Sequence, residues 1–211
     1  MNLLSLFFPQ KIAVYKSKYN SEIKVYEFLG RKYIEVGRLM QSGNMVKQLF
    51  SQMLKKFHLQ HQPYIKRILV LGLGGGSVVE LLNKTYPEAE ITAIEIDPMM
   101  VQAGRKYLQL GKSRRLKIIF ADVFKLPRSK IKYDLVIVDL FRGEETPAQL
   151  GEPSFLRYLK SLTTEQGCIV FNRLYFQKHI FEANQFLNKL EGIFQHVDTT
   201  KVYFNLFIKA C

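Results

Sequence analysis

A glycine-rich turn and three carboxylates stand at the ends of four consecutive apolar stretches. The turn reads Gly-Leu-Gly-Gly-Gly-Ser over residues 72–77, and the acids are Glu95, Asp122 and Asp139. Glycines let the backbone turn tightly against a ligand, and the helix expected to follow offers free N–H groups. A carboxylate 23 residues after the first glycine can bind both ribose hydroxyls. These residues predict a nucleoside site, the alternative being a structural turn beside a surface glutamate.

Two further features indicate the type of nucleoside. Ser77 occupies the last glycine position of the dinucleotide fingerprint G-x-G-x-x-G, and Asp122 has no role in that fingerprint. A side chain at Asp122 would instead reach the edge of an adenine ring. The residues therefore favour a sulfonium nucleoside of the S-adenosylmethionine type over a nicotinamide dinucleotide. Asp139 faces the same crevice, where it could orient or deprotonate a nucleophile.

The elements that must position these residues alternate along the chain. Short apolar strands separated by helices are typical of a parallel sheet buried on both faces, with ligands at the carboxyl ends of its strands. The sequence predicts an α/β fold with a doubly wound, mostly parallel sheet, Rossmann-like and of the methyltransferase type. A small N-terminal β-hairpin region over 1–43 should precede the α/β domain over 44–211, the two forming a single compact unit. The predicted strands are 67–72, 90–96, 116–121, 133–140, 167–172, 193–198 and 201–209, and the predicted helices are 44–58, 76–85, 98–109, 153–162 and 176–190.

Composition restricts the class of protein. Of the 211 residues, 47% are hydrophobic, which rules out a disordered chain. No apolar run approaches the ~18 residues of a membrane span, so no membrane association is expected. Two cysteines, Cys168 and Cys211, favour a reducing, cytoplasmic location over a disulfide-stapled secreted scaffold. His58 and His61 lack a third ligand nearby, so we expect no metal.

The net charge of +13 is unevenly distributed. Residues 1–70 and residues 104–132 each carry a net charge of +9, and such basic blocks favour acidic partners such as nucleic acid. In the second block, basic residues precede predicted strands, at the sheet edge opposite the crevice: Lys112, Arg114, Arg115, Lys117, Arg128, Lys130 and Lys132. Nucleic acid is therefore an open but unfavoured partner, and a small-molecule acceptor is preferred.

Several segments together resemble the spermidine synthase-like family, the polyamine aminopropyltransferases and their relatives within the class I S-adenosylmethionine-dependent methyltransferase fold. The segments are SEIKVYEFLGRKYIEVGRLMQSG, ILVLGLGGGSVVELL, ITAIEIDPMMVQAGRKYL, FADVF and YDLVIVDL, within residues 15–175. The resemblance implies that Glu95 binds the ribose, that Asp122 binds the adenine and that Asp139 is the catalytic acid. It also implies a homodimer built on the N-terminal strands. The residues expected to contact the cofactor are Gln41, Gly72, Gly74, Gly75, Gly76, Ser77, Glu95, Asp97, Asp122, Val123 and Asp139.

Two departures from the family pattern bear on the reaction. Members of the family carry GGGDG in the glycine loop, and its Asp grips the amino end of a decarboxylated donor; here Ser77 is expected at that position. The D-x-x-D-P segment of the family becomes DLFRG at 139–143, so Arg142 replaces the second Asp. A missing loop carboxylate would no longer repel the carboxylate of intact S-adenosylmethionine. An arginine would repel a diamine, whose burial requires carboxylates.

We therefore expect methyl transfer from S-adenosylmethionine to an unknown acceptor. Arg142 would suit an acceptor that bears a carboxylate or phosphate, and Tyr175 would roof the acceptor pocket. Two alternatives stay open. One is aminopropyl transfer from decarboxylated S-adenosylmethionine to a diamine, and the other is a nucleoside-binding protein that has lost catalysis.

Overall fold

The computed structural model describes residues 3–112 and 115–211. The elements of the N-terminal part are β1 (Gln10–Ser17), β2 (Ser21–Phe28), β3 (Arg31–Val36), β4 (Leu39–Ser42) and helix α1 (Asn44–Lys56). The elements that follow are β5 (Arg67–Leu71), α2 (Ser77–Thr85), β6 (Glu90–Glu95), α3 (Pro98–Tyr107), β7 (Leu116–Phe120), β8 (Tyr133–Val138), α4 (Pro153–Ser161), β9 (Thr163–Leu174), α5 (Lys178–Glu191), β10 (Val197–Val202) and β11 (Asn205–Ala210).

The larger sheet has seven strands in the order β10-β11-β9-β8-β5-β6-β7. The five strands from β9 to β7 are mutually parallel, and β11 runs antiparallel to both of its neighbours. The strand order reverses direction at β5, which places the ends of β5 and β8 beside each other at the switch point where such sheets bind ligands. The predicted α/β fold with a doubly wound, mostly parallel sheet is confirmed.

Alternating side chains of the central strands build a core on each face of this sheet. Ile68 and Val70 of β5 point to the face covered by α1 and α2, where Phe50 and Leu82 are buried. Leu69 and its neighbours point to the opposite face, which α4 and α5 cover. Burying one such side chain contributes roughly 1.5–3 kcal/mol, so the two layers fix the strand ends firmly.

The N-terminal region, predicted to be a small β-hairpin region, is a four-stranded antiparallel sheet in the order β1-β2-β3-β4. The short strand β4 is paired with β3, and its four residues are too few to show the alternation of apolar and polar residues that predicts a strand. The inner face of the sheet packs on α3, where Ile23 and Ile34 meet Met100 and Ala103. The small sheet is therefore anchored directly on the helix that follows β6.

The last two strands lie further along the chain than the sequence predicts. The stretch 193–198 was expected to be a strand, but Ile193 and Phe194 both donate backbone hydrogen bonds to the Leu190 carbonyl at the end of α5. Phe194 is buried there against α5, so its apolar side chain belongs to a helix end rather than to a strand. In the described part of the chain, no helix is long and apolar enough to cross a membrane.

Candidate functional site

The loop at residues 72–77, the glycine loop, requires glycine for two separate reasons. Gly72, Gly74 and Gly76 have φ angles of +87°, +55° and +90°, which side chains of L-residues rarely adopt. A Cβ on Gly72 would also lie 2.1 Å from the Asp139 carbonyl oxygen. The Asp139 N–H donates to the Leu71 carbonyl at 2.8 Å, so the ends of β5 and β8 touch. The loop therefore brings the predicted catalytic acid against the backbone of the predicted cofactor site.

Glu95 fastens the glycine loop to the end of β6. Its Oε2 accepts a hydrogen bond from the Gly74 N–H at 2.9 Å, and its Oε1 accepts one from the Asp97 N–H at 2.9 Å. The side chain is buried, and this burial raises the pKa of the carboxyl group although the backbone hydrogen bonds oppose the shift. The carboxylate thus lies between the loop and β6, where the resemblance places the ribose.

The Asp97 carboxylate is fully buried, and it joins the two sheets. Its Oδ1 accepts from the Met99 N–H at 2.9 Å and caps α3, while its Oδ2 accepts from Asn20 Nδ2 at 2.7 Å and from the Ser17 hydroxyl. These contacts give Asp97 a structural role at the turn between β1 and β2. Contact between Asp97 and a cofactor stays a prediction.

Asp122 stands at the mouth of a cleft of about 390 Å³, which we name the Asp122 cleft. Its Oδ1 accepts from the Phe124 N–H at 3.0 Å, so it caps the short helical turn that begins at Val123. Arg142 also lines the cleft, from the loop after β8. The lining residues are Ile96, Ala121, Asp122, Val123, Phe124, Leu140, Phe141, Arg142, Glu145, Thr146, Pro147, Ala148 and Gln149. The volume lies in the range of small-molecule sites.

Asp139 belongs to a short chain of polar side chains beside the glycine loop. Its Oδ1 accepts from Asn172 Nδ2 at 2.9 Å, and Asn172 Oδ1 accepts from Asn205 Nδ2 at 2.8 Å. Protein atoms surround the carboxyl group closely although it keeps some exposure, and burial raises its pKa from 3.8 to about 6. Sequence reasoning missed Asn172, although a polar residue ending the apolar run GCIVF at the same sheet edge was a usable signal.

The end of β4 is joined to the glycine loop by two buried hydroxyl groups. Ser42 Oγ accepts from the Gly75 N–H at 2.7 Å, and Ser77 Oγ accepts from the Gly43 N–H at 2.8 Å. The backbone of Gln41 also approaches the loop, because its carbonyl oxygen would lie 3.2 Å from a Cβ on Gly74. The predicted cofactor residue Gln41 is therefore placed beside the loop. Sequence reasoning missed Ser42.

The end of β5 gives an alternative position for the family's loop Asp, and the expected correspondence with Ser77 stays a prediction. Strand β5 ends at Leu71, so a GGGDG pattern that begins at the next residue places its Asp on Gly75 rather than on Ser77. A Cβ on Gly75 would lie 2.7 Å from Ile34 Cδ1 and 2.8 Å from Ser42 Cβ. The loop therefore has no carboxylate at this position, and a side chain there would require Ile34 and Ser42 to shift. Ser77 contacts Gly43 instead, and its contact with a cofactor stays a prediction.

Arg142 and Tyr175, the predicted acceptor residues, lie in different surroundings. Arg142 forms a β-bridge with Glu145, while its exposed guanidinium makes no ion pair with any residue that the structure describes. Glu145 pairs instead with Lys178 at 2.6 Å. Tyr175 is half-buried below Lys201, whose Nζ lies 5.4 Å from the ring centroid. Only Arg142 of the two lines the Asp122 cleft, and a role of Tyr175 toward an acceptor stays a prediction.

Most of the basic residues named in the second block lie before β7 and β8, at the amino edge of the sheet, whereas Lys117 is the second residue of β7. Arg115 pairs with Glu88 at 2.8 Å, and Lys132 donates to the Ser161 carbonyl. Arg114 lies outside the described residues, and of Lys112 only the backbone is described. Among the residues that are described, no group of three His, Cys, Asp or Glu side chains could hold a metal ion.

The family model of the spermine/spermidine synthase domain matches residues 47–208, most of the chain. The chain belongs to this family. The match includes the glycine loop, Glu95, Asp122, Asp139 and Asn172.

Relatives of this spermine/spermidine synthase domain protein fall into two kinds. The polyamine aminopropyltransferase of Vibrio vulnificus (strain CMCP6) is 35% identical over 118 residues, which cover 54% of this chain and 40% of the relative. The eEF1A lysine and N-terminal methyltransferase homolog of Drosophila melanogaster is 25% identical over 207 residues, which cover 93% of this chain and 30% of the relative. The chain thus spans less than half the length of either relative.

Solved structures of both kinds share the fold. A probable spermidine synthase from Corynebacterium glutamicum ATCC 13032 has a TM-score of 0.80 at 19% identity, covering 94% of this chain and 79% of that chain. Human methyltransferase-like protein 13 in complex with SAH has a TM-score of 0.60 at 22% identity, covering 79% of this chain and 80% of that chain. The architecture is therefore common to aminopropyl- and methyltransferase-like proteins, and the choice between them depends on the site.

Proposed function

We propose that the chain is a transferase that binds intact S-adenosylmethionine and transfers its methyl group to an acceptor, for which the sequence favours a small molecule. The observation that carries this proposal is the glycine loop, in which Gly75 has no carboxylate and a Cβ there would lie 2.7 Å from Ile34 Cδ1 and 2.8 Å from Ser42 Cβ. Without a carboxylate there, the loop does not repel the carboxylate of the intact cofactor. The methyltransferase homolog of Drosophila melanogaster, which matches 93% of this chain, supports the same reaction.

The residues present fit this cofactor. The Glu95 carboxylate accepts a hydrogen bond from the Gly74 N–H, and the ribose hydroxyls would donate to the same carboxylate. Asp122 and Val123 line a cleft of about 390 Å³, which suits an adenine ring and its surroundings. Oxygen acceptors at the ends of two neighbouring strands match the donors of a nucleoside. The human methyltransferase-like protein 13, which shares the fold, was solved with SAH.

Asp139 is the group that would act on the acceptor. Because its pKa is about 6, its carboxyl group is mostly ionised at pH 7 and can take the proton that the nucleophile loses. Asn172 occupies Oδ1, so Oδ2 is the carboxylate oxygen left for the acceptor among the contacts of the described residues. Bound S-adenosylmethionine would supply a methyl carbon activated by the sulfonium and would leave as S-adenosylhomocysteine. The protein accelerates such a displacement mainly by positioning and by excluding water.

Aminopropyl transfer to a diamine is the second candidate, because the Vibrio vulnificus relative is a polyamine aminopropyltransferase. Two ammonium groups need buried carboxylates to offset their desolvation. Asp139 supplies one, but Glu145 is already paired with Lys178 at 2.6 Å, and Arg142 adds a positive charge to the same loop. The charges around the site thus favour methyl transfer. A third candidate is nucleoside binding without catalysis.

The coproduct distinguishes the candidates. We would incubate the protein with S-adenosylmethionine and a low-molecular-weight cell extract, and separately with decarboxylated S-adenosylmethionine and 1,4-diaminobutane. Methyl transfer releases S-adenosylhomocysteine, whereas aminopropyl transfer releases 5′-methylthioadenosine. We expect only the first product, and Asp139→Asn should lower its rate roughly 10²–10⁴-fold.

The matched control is Asp198→Asn, because Asp198 is an exposed acid on β10 far from the crevice. Turnover should be unchanged in this variant. Release of 5′-methylthioadenosine would contradict the proposal in favour of aminopropyl transfer. No product with either donor would favour the non-catalytic reading.

A further inference from the structure

Arg173 is a buried arginine on the face of the sheet opposite Asn172. Its residue is only 8% exposed, and the guanidinium lies 4.8 Å from the ring centroid of Phe186 on α5. Within the described part of the chain, the guanidinium donates no hydrogen bond and forms no ion pair within 4.0 Å. An arginine remains charged in a protein, and a buried charge without partners is costly. Such a group points to a ligand that the protein itself does not provide.

The guanidinium opens into a cavity of about 280 Å³, which we name the Arg173 cavity. Its wall includes Glu145, Thr146, Arg173, Glu182, Gln185 and Lys189. Residues 145–148 also line the Asp122 cleft, so one loop segment separates the two spaces. The Arg173 cavity is therefore a neighbour of the proposed cofactor cleft and not a part of it.

The charges around the Arg173 cavity favour an anion. Both acids in its wall already have partners, because Glu145 pairs with Lys178 at 2.6 Å and Glu182 Oε2 lies 3.0 Å from His179 Nδ1. Neither Arg173 nor Lys189 forms an ion pair within 4.0 Å with an acid among the described residues. Lys189 Nζ donates only to the Gly151 carbonyl at 3.3 Å. Glu182 attracts Arg173 from beyond ion-pair distance.

We propose that the Arg173 cavity binds an oxyanion, a phosphate or carboxylate group, through the guanidinium of Arg173 with Lys189 at the rim. A planar guanidinium offers two parallel N–H donors that match two oxygens of such a group. The ring of Phe186 forms a cation–π contact with the guanidinium, and this contact keeps the Arg173 side chain in place. The site does not depend on the proposed methyl transfer, because it contains none of the residues assigned to the donor or to Asp139.

The first test is a calorimetric titration of the full chain with sodium phosphate and, separately, with sodium acetate, at constant ionic strength set with sodium chloride. We expect saturable binding of at least one of the two anions and a rise in Tm as it saturates. Binding of phosphate alone identifies a phosphate site, and binding of both identifies a general oxyanion site. Arg173→Gln should weaken the affinity roughly tenfold or more.

The matched control is Arg157→Gln, which removes the same charge from an exposed position on the neighbouring helix α4. This variant should bind the anion as the wild type does. Absence of saturable binding of both anions would overturn the proposal, and so would equal loss of affinity in the two variants.

A second variant keeps the proposal testable even if Arg173→Gln folds poorly. In anion-free buffer, Arg173→Met should raise the Tm, because an apolar side chain of similar length replaces an unpaired buried charge. The anion that binds in the titration should raise the Tm of the wild type more than that of Arg173→Met. A lower Tm for Arg173→Met in anion-free buffer would show that the guanidinium has a protein partner and would contradict an anion site.

Discussion

On the proposed donor side of the crevice, the carboxylates of Glu95 and Asp122 accept from backbone N–H groups, whereas on the proposed acceptor side the carboxylate of Asp139 accepts from a side chain. Glu95 accepts from Gly74, and Asp122 accepts from Phe124. By contrast, Asp139 is held by Asn172, and Arg142 is exposed without an ion pair among the described residues. Backbone N–H groups do not change with the sequence. The side chains that accept from them on the donor side must therefore stay of the same type. The acceptor side can change by substitution of a few side chains.

This difference explains how one scaffold serves two chemistries. This chain belongs to the spermine/spermidine synthase domain family, and relatives of both kinds, a polyamine aminopropyltransferase and a methyltransferase homolog, match it. The residues near Asp139 differ from the family pattern at Arg142, where the charge has changed sign. We infer that the donor side fixes the cofactor class and that the acceptor side determines the reaction.

The largest expected effect is on the donor side, at Gly72. Gly72→Ala places a Cβ 2.1 Å from the Asp139 carbonyl oxygen, and residue 72 has a φ angle of +87°, which alanine rarely adopts. The substitution should lower the free energy of unfolding by about 3 kcal/mol or more. Gly37→Ala is the control, because Gly37 has φ of +62° but no atom within 4 Å, so only about 1 kcal/mol should be lost. Urea unfolding measures both. Equal losses would show that β5 and β8 do not meet as described.

The next effect is on cofactor affinity. Glu95→Gln keeps the shape of the side chain and removes its charge, so we expect S-adenosylmethionine to bind about 10–100-fold more weakly. Glu90→Gln, at the exposed start of the same strand, should leave the Kd unchanged. Calorimetry measures both values. Equal Kd values in the two variants would contradict a ribose contact of Glu95.

On the acceptor side, Asp139 should reduce stability while it serves the reaction. Burial raises its pKa from 3.8 to about 6 in the folded protein, so the folded state binds the proton more tightly than the unfolded state. The contribution of Asp139 to the free energy of unfolding therefore falls as the pH rises from 3.8 through 6. Asp139→Asn should raise the free energy of unfolding by roughly 1–3 kcal/mol at pH 7 and change it little near pH 4. Urea unfolding of both proteins at the two pH values checks this, and a destabilised variant at pH 7 would refute it.

The smallest effect is expected at Ser77, the last residue of the glycine loop, whose hydroxyl contacts the end of β4. Ser77→Ala removes the hydroxyl that accepts from the Gly43 N–H at 2.8 Å and should lower the free energy of unfolding by about 1 kcal/mol. The ratio of the Kd values for S-adenosylmethionine and its decarboxylated form should not change. A shifted ratio would restore Ser77 as the residue that selects the donor.

The donor side was predictable because its signals are local. An apolar strand followed by a glycine loop or a carboxylate marks one edge of a parallel sheet, and residues 72–77, Glu95, Asp122 and Asp139 are all placed there. The register within the glycine run was not predictable, because several glycines in a row do not show where the strand ends. Counted from the end of β5 at Leu71, the family's Asp position falls on Gly75.

Contacts between distant segments could not be predicted from one sequence. Ser42 and Gly75 are 33 residues apart in the sequence. Ser42 contacts the glycine loop only because the N-terminal sheet packs on α3. Arg173 is buried because α5 folds back over β9, which an isolated strand pattern does not show. The stretch at Phe194 has strand-like composition, but hydrogen bonds to Leu190 make it the end of a helix.

The most direct test of the account is a calorimetric titration of the purified protein with S-adenosylmethionine and, separately, with its decarboxylated form. Because the glycine loop has no carboxylate at Gly75, we predict tighter binding of the intact cofactor. Glu95→Gln provides the control that both ligands use the same site. Tighter binding of the decarboxylated form would contradict the account and would favour aminopropyl transfer.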